Sequence, residues 1–547
     1  MFFKESWSVG QLAFSLVATL PAYLVYKLCL FIYGELTSPL LDLPGPPSKS
    51  LIFGNFKDVT QGDSSEVLEK WIEEYGSTIK YKGFLGKTLL YTADLKAINH
   101  ILMNSNDYTK PEVNIYIIKR VLGDGIILAE GEAHRKQRKV LNPAFGPQQM
   151  RDINKVFVEK SLELRDMWTR EIQKQQLDGA AMVDSLSWFS RLALDVIGIA
   201  GFNYNFDSLS DDPEKDEFGR AFSVTSKMGR NMNVMAILKY LIPAISFLPG
   251  GHDPEEEKAA DTVDRIGAQL LNERKAAAET QGKDNKSWES RDILSLLVRA
   301  NSMPDLPENQ RLSDRDVLGQ IPTFMSAGHE TTSISSTWAF YALSQNKDAQ
   351  TKLREELMTI STDNPTMDEL NSLPYLDTVV RESLRLYAPV PETSRVAAKD
   401  DFLPLSKPFI DRHGKLHHEL RMKKGQSVAI PIIPINRAKA LWGEDAKEFK
   451  PERWENLPEE VSAIPGVWGN MMTFIGGPRA CIGYRFSIVE MKAILFTLIR
   501  AFEFDLAVPA NDIIISSKAF MQRPVLRTET DPKKLNQLPL LVRLVGH

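Results

Sequence analysis

Hydrophobic positions recur along this chain with two periods, one helical and one strand-like, after an opening stretch with almost no polar break. Residues 9–33, VGQLAFSLVATLPAYLVYKLCLFIY, carry Lys27 as their only charge. A helix that crosses a bilayer needs roughly 20 apolar residues, so this run is long enough, and Pro21 is placed to kink it. Residues 43–50, LPGPPSKS, follow as a stiff Pro-Gly hinge. Helical spacing returns at 65–76 through Val67, Leu68, Trp71 and Tyr75. Alternation at 78–92, around a Gly-containing turn, predicts a hairpin. Residues 111–129 are apolar with a glycine break. Residues 146–200 read as two helices, the second (LSWFSRLALDVIGIAGF) with a wide apolar stripe that marks it as core. Residues 222–250 are rich in Met and apolar groups, including Met228, Met232, Met235 and Leu238. Residues 253–300 are charged and helical, with a polar break at 281–290. Ser313 and Asp316 form a capping box that opens a helix running to about Gln345, roughly 48 Å at 1.5 Å per residue. Short strands with a hairpin follow at 402–433, a helix at 486–502, and a terminal strand at LPLLVRLV. The expected fold is mainly α with a small β lobe, preceded by an N-terminal transmembrane helix.

Composition narrows this picture. The 547 residues and 43% hydrophobic content support one large domain with a sizeable core, and a net charge near −5 gives no support for a nucleic-acid partner. The organisation expected is an N-terminal membrane anchor over 1–42 and a catalytic domain over 43–547. A signal peptide is the alternative for the apolar run, but the run is longer than a typical h-region and lacks a clear small-residue cleavage site. Lys4, Glu5, Glu35 and Asp42 flank it with too little charge to orient it. Two cysteines, Cys29 and Cys481, do not make a disulfide scaffold, and Cys481 has no second soluble thiol for a tetrahedral metal site.

Four places carry candidate chemistry. In MMTFIGGPRACIGYR, residues 471–485, Cys481 follows a Gly-Gly-Pro turn and precedes an apolar helix. Backbone N–H groups at a helix start can hold and tune a thiolate. Gly477 and Gly483 allow close backbone approach, and Arg479 offers a cation. The alternative for a lone cysteine is a buried structural thiol. The middle of the long helix reads AGHETT, residues 327–332. Gly328 and two adjacent threonines are poor helix formers and predict a local distortion, and Glu330 and Thr331 are costly to bury unpaired. A solvent-facing turn is the alternative, and His329 reads as a packing or surface histidine. In GEAHRKQRKVLNPAF, residues 131–145, His134 and Arg138 share a helical face, while Arg135, Lys136 and Lys139 offer a solvated basic face. Glu382 and Arg385 share a face of the helix within 373–390. His413, His417 and His418 lie in a polar hairpin and read as surface residues.

These motifs together resemble the cytochrome P450 family, over residues 43–547. Phe474, Gly477, Arg479, Cys481 and Gly483 stand as F-x-x-G-x-R-x-C-x-G, which matches the family's heme-binding loop at all five positions. The resemblance implies that Cys481 is the proximal thiolate ligand of the iron of heme b, with Phe474 beside the sulfur and Arg479 on a heme propionate. Ala327, Gly328, Glu330, Thr331 and Thr332 match the family's A/G-G-x-D/E-T-T groove, which implies a proton relay through Glu330 and Thr331 on the oxygen-binding side. The family usually has W-x-x-x-R where this chain has His134 and Arg138. Arg138 fits the propionate role, and His134 can still donate a hydrogen bond with less aromatic contact. Arg395, in VPETSRV, is the further propionate candidate. Glu382 and Arg385 match the family's E-x-x-R, to be completed by Arg453 of PERW, residues 451–454. The region 111–129 is expected to wall the distal pocket, 222–250 to form a lid over the substrate channel, and Ala519–Phe520 to lie near a substrate-contacting turn.

By the same resemblance the reaction is insertion of one oxygen atom of O2 into a lipophilic small molecule. Electrons come from NADPH through a separate NADPH-cytochrome P450 reductase, with cytochrome b5 as a further donor. The expected setting is the endoplasmic reticulum membrane, single-pass, with the catalytic domain on the cytosolic side, as in fungal membrane P450s. The rival readings are a P450-fold isomerase or dehydratase working without O2, and a non-catalytic heme or lipid binding protein. The intact Glu330–Thr331 pair argues against both. The pocket sequence does not specify a substrate.

Overall fold

The structure, a computed structural model, describes residues 9–55, 58–59, 64–175, 179–210, 212, 216–227, 254–280, 292–301, 307, 311–411, 413–516, 521–531 and 534–546. Met228, Met232, Met235 and Leu238 of the expected lid, the polar break at 281–290 and Ala519–Phe520 lie outside the described residues.

Helices build most of the chain, and the strands are β1 (Thr78–Lys82), β2 (Thr88–Thr92), β3 (Tyr108–Thr109), β4 (Ala180–Asp184), β5 (Glu392–Ala397), β6 (Asp401–Ile410), β7 (Leu416–Met422), β8 (Ser427–Pro431), β9 (Phe502–Leu506), β10 (Ile513–Ser516), β11 (Arg523–Leu526) and β12 (Pro539–Leu544). The expected hairpin is β1–β2, antiparallel with Thr78 opposite Thr92, and it forms one edge of a five-stranded sheet ordered β1-β2-β8-β5-β3. β4, β12 and β9 form a second sheet with β12 in the middle. The mainly helical fold with a small sheet lobe thus follows the periodicities of the sequence.

The helix Asp314–Gln345 runs through the centre. Its capping box is made: the Asp316 N–H donates to Ser313 Oγ at 3.1 Å, and the Ser313 N–H donates to Asp316 Oδ2 at 3.0 Å. The helix is continuous for 32 residues, so the expected distortion at AGHETT is absent. The reason is packing. A Cβ at Gly328 would lie 3.0 Å from Ile197 Cδ1, so the glycine serves a close crossing with the helix Ser185–Phe202 and not a kink.

That crossing helix has the length and apolarity of a membrane span, but it is 67% buried, as its wide stripe predicted, and is a core helix. Its Phe189 and the neighbouring Trp168, Phe340, Phe502 and Phe504 form an aromatic cluster, with Phe340 and Phe504 centroids 4.7 Å apart. The cluster joins the central helix to the sheet that ends the chain. At the other end, the helix Val9–Leu36 is 28 residues long, and its described apolar side chains from Tyr23 onward are exposed.

Candidate active site

The cysteine loop is built by backbone contacts. Gly477 has φ +71°, a conformation that favours glycine, and a Cβ there would lie 2.7 Å from the Leu102 carbonyl oxygen. A tighter place, missed in the sequence, is Gly476, where a Cβ would lie 1.9 Å from the Pro465 oxygen. Gly483 has φ −90°, and among protein atoms a Cβ there would make only ordinary contact with Phe145 at 3.9 Å. The Cys481 N–H donates to the Phe474 carbonyl at 3.0 Å, so Phe474 is fixed beside the cysteine and is itself buried.

Cys481 is exposed, and burial of the group among neighbouring residues pushes its thiol pKa up. The Gly483 backbone N–H and the Arg138 charge act the other way and favour the thiolate. Arg138 also donates from Nη1 to the Ala480 carbonyl at 2.7 Å, which ties the helix Gly131–Leu141 to the cysteine loop.

A crowded set of cations lies beside this loop. Arg479 donates to the Ala129 carbonyl at 2.5 Å and pairs with Glu130. Lys110 pairs with the same Glu130 at 3.1 Å, and Arg395 is buried, with Nη1 donating to Thr393 Oγ1 and the Ser394 carbonyl. The crowding shows in their protonation. Burial, then the Arg479 charge, brings Lys110 down to about 8. Burial brings Arg395 down to about 10, with Glu130 opposing and Arg479 assisting. His134, buried on the same helix as Arg138, is lowered to about 3 by burial and by Arg479, Lys110 and Arg138, and is therefore neutral. One carboxylate against Lys110, Arg138, Arg395 and Arg479 leaves room for further negative charge. Lys110 was not singled out in the sequence. Its only local signal is its position before Pro111, where a helix begins.

On the basic helix His134 and Gln137 are buried, Arg135 and Lys139 are exposed, and Lys136 and Arg138 are half-buried, so the solvated face is narrower than the basic cluster.

On the central helix, Ala327 to Thr331 form a half-buried run between the buried segments Thr323–Ser326 and Thr332–Phe340. Thr331 Oγ1 donates to the Ala327 carbonyl at 2.7 Å. Its hydroxyl proton is thus engaged by the helix, and its lone pairs are left to accept. Glu330 forms an ion pair with Arg523, the first residue of β11. Sequence reasoning missed this partner, which lies far along the chain. His329 meets Ser190 at 2.7 Å and packs edge-on against Phe222, as a packing histidine. Thr332 Oγ1 reaches Ser487 Oγ at 3.2 Å, and the Ser487 N–H donates to the Gly483 carbonyl at 3.0 Å. The acid–alcohol run and the cysteine loop are therefore brought together by adjacent helices.

Behind the loop, Glu382 and Arg385 are fully buried and paired through both carboxylate oxygens, each at 2.8 Å. Arg453 joins at 3.3 Å, as expected, and Trp454 Nε1 donates to Glu382 at 3.0 Å. Asn436 links this network to the loop: its carbonyl accepts from Arg385 Nη1 at 2.7 Å, and its side-chain oxygen accepts from the Met472 N–H at 2.8 Å. His413 and His418 are exposed, His417 pairs with Asp411 at 2.8 Å, and no metal-holding cluster occurs among the described residues.

The donor set fits an iron porphyrin. It offers one exposed soft sulfur ligand, with cations beside it that outnumber their carboxylate partner. The comparisons agree. The family model Cytochrome P450 matches residues 44–527. Cytochrome P450 monooxygenase 205 of Postia placenta is 51% identical over 531 residues, covering 95% of this chain and 96% of that protein. Cytochrome P450 monooxygenase 128 of the same fungus is 47% identical over 544 residues, 98% of this chain and 97% of that protein. Cytochrome P450 monooxygenase claW of Ampulloclitocybe clavipes is 34% identical over 510 residues, 92% of each. The chain belongs to the fungal members of the cytochrome P450 family, the heme-thiolate monooxygenases.

Proposed function

We propose that this chain is a membrane-anchored monooxygenase that hydroxylates a lipophilic small molecule, with residues 1–42 as the anchor and 43–547 as the catalytic domain. Cys481 is the iron ligand, and heme b, when bound through it, supplies the dioxygen chemistry. Lys110, Arg138, Arg395 and Arg479 hold the propionates, with neutral His134 as a hydrogen-bond donor. Phe474 lies against the sulfur side and excludes water. The Gly483 N–H and Arg138 favour the anionic sulfur against the burial that raises its pKa. Thr331 would accept and pass a proton at Oγ1, and Glu330, held in place by Arg523, would resupply it.

One oxygen atom enters the substrate and the other leaves as water, which consumes two protons and two electrons. The electrons come from NADPH through a separate reductase, with cytochrome b5 as a second donor. The endoplasmic reticulum, with the catalytic domain on the cytosolic side, is the setting this family membership supports.

The observation that carries the reading is Cys481 itself: a free, exposed thiol beside one local N–H and one cation. The test is the absorption spectrum of the reduced carbon monoxide complex. Thiolate ligation gives a characteristic long-wavelength Soret band; Cys481→Ala should lose it, and its retention would refute the ligand assignment. Turnover that requires NADPH and reductase, with product oxygen derived from O2, separates the monooxygenase from an isomerase or a binding protein.

A further inference from the structure

Glu130 is an acid set inside a cluster of cations. Its Oε1 accepts from Lys110 Nζ at 3.1 Å and from the Lys110 N–H at 3.4 Å, and its Oε2 pairs with Arg479 Nη2. Among the described residues no other carboxylate pairs with these cations: Arg138 donates to the Ala480 carbonyl, and Arg395 to Thr393 Oγ1 and the Ser394 carbonyl. Glu130 also stands at the N-cap of the helix Gly131–Leu141, where a side-chain oxygen ordinarily accepts from the first free N–H groups, yet it makes no such bond. The carboxylate is turned away from its own helix and onto Lys110 and Arg479, which come from two other segments of the chain.

The cations keep donors to spare. An ammonium has three N–H donors and a guanidinium five. Among the described residues, Glu130 takes one from Lys110 Nζ, and Glu130 and the Ala129 carbonyl take two from Arg479. Two heme carboxylates can therefore be held without displacing Glu130. The side chains of Lys110, Glu130 and Arg479 are 16%, 25% and 7% exposed, so bulk salt screens their charges only in part. The Glu130 charge also acts beyond its bonded partners: after burial it is the largest influence on the protonation of Arg395.

We propose that Glu130 stays against Lys110 and Arg479 in the holoprotein and tunes the iron, offsetting one of four cations and so holding the reduction potential below the value the cations alone would set. This rests on the reading of those cations as the propionate partners. Reduction of ferric to ferrous iron adds one electron, so each further positive charge at the heme edge favours it. Full-length holoprotein in detergent is titrated with dithionite as electron donor and ferricyanide as acceptor, and the potential is read from its absorption. Glu130→Gln keeps an oxygen for the same bonds and removes the charge. Its potential should rise by about tenfold in the ferrous-to-ferric equilibrium, or about 59 mV for one electron. Glu130→Asp should stay near the native value, and Lys110→Met should shift it the other way. Glu132→Gln, which removes a solvent-exposed acid of the same helix, should leave it unmoved. Heme should pass to apomyoglobin no faster from Glu130→Gln than from the native chain. An unchanged potential in Glu130→Gln overturns the inference and spares the heme reading. Rapid heme loss from Glu130→Gln makes the acid a structural clamp only, and also overturns it. A native chain that takes up no heme overturns the heme reading and this inference together.

Discussion

Arg523 holds Glu330, the acid of the proposed proton path. Removing the hydroxyl with Thr331→Ala removes a positioned proton-transfer group, which is worth on the order of 100-fold in product formation. NADPH consumption should continue and end in peroxide, so the ratio of product to NADPH is the measurement. Arg523→Ala should lower the same ratio by less, because it unfixes the acid without deleting it, and Arg523→Lys should restore part of it. His329 behaves differently. Burial, and next the Arg523 charge, lower its pKa from 6.5 to about 4. The unfolded chain then takes up a proton that the folded one does not, between pH 6.5 and about 4. Stability contributed by this neutral histidine is complete above 6.5 and is lost as pH falls through that window, by up to about 1.4 kcal/mol per pH unit. The thermal midpoint of His329→Gln should fall less steeply across the same window. At this scale the sequence reveals groups whose neighbours carry a motif, such as Cys481, Arg138 and Glu330. It conceals Lys110 and Arg523, because only the folded chain brings them to Glu130 and Glu330.

The central helix and the helix Ser185–Phe202 meet where Gly328 faces Ile197. Gly328→Val should cost about 1–3 kcal/mol by overpacking. Ile197→Ala in that background should recover part of the loss in thermal midpoint, because the two side chains compete for one space. Poor helix formers in AGHETT pointed to a special place, but the helical hydrogen bonds and the crossing partner override local propensity, which is why the distortion expected from the sequence is absent. The E-x-x-R pair, weak as an i,i+3 pair alone, was legible from the apolar residues around it and from the family motif that joins it to PERW. Asn436, which connects that pair to Met472 and the cysteine loop, gave no such signal, since one polar residue in a run of Ile and Pro has many possible roles. Glu382→Ala leaves Arg385 and Arg453 buried without their carboxylate and should cost about 3–5 kcal/mol. Loss of heme from the purified variant, followed by its absorption spectrum, checks whether the network acts through the loop.

Over the whole molecule, the mainly α architecture and the early hairpin were legible because they rest on local period. The pairing of β4 with β12 was not, because strand partners hundreds of residues apart leave no mark on either segment. β12 is the middle strand of its sheet, with β4 on one side and β9 on the other, and Ser185 Oγ donates to the Leu538 carbonyl across 353 residues of chain. A chain that ends before Pro539 should therefore accumulate as insoluble protein, with soluble holoprotein as the measure. During synthesis the segments that emerge first usually fold first. Here β4 leaves the ribosome early and β9 late, and neither has a sheet partner until the last six-residue strand follows them. Until β12 is made both remain open edges, able to recruit strands from other chains. This strand is thus the clasp of the fold, and the nascent protein depends on protection by other means until it emerges.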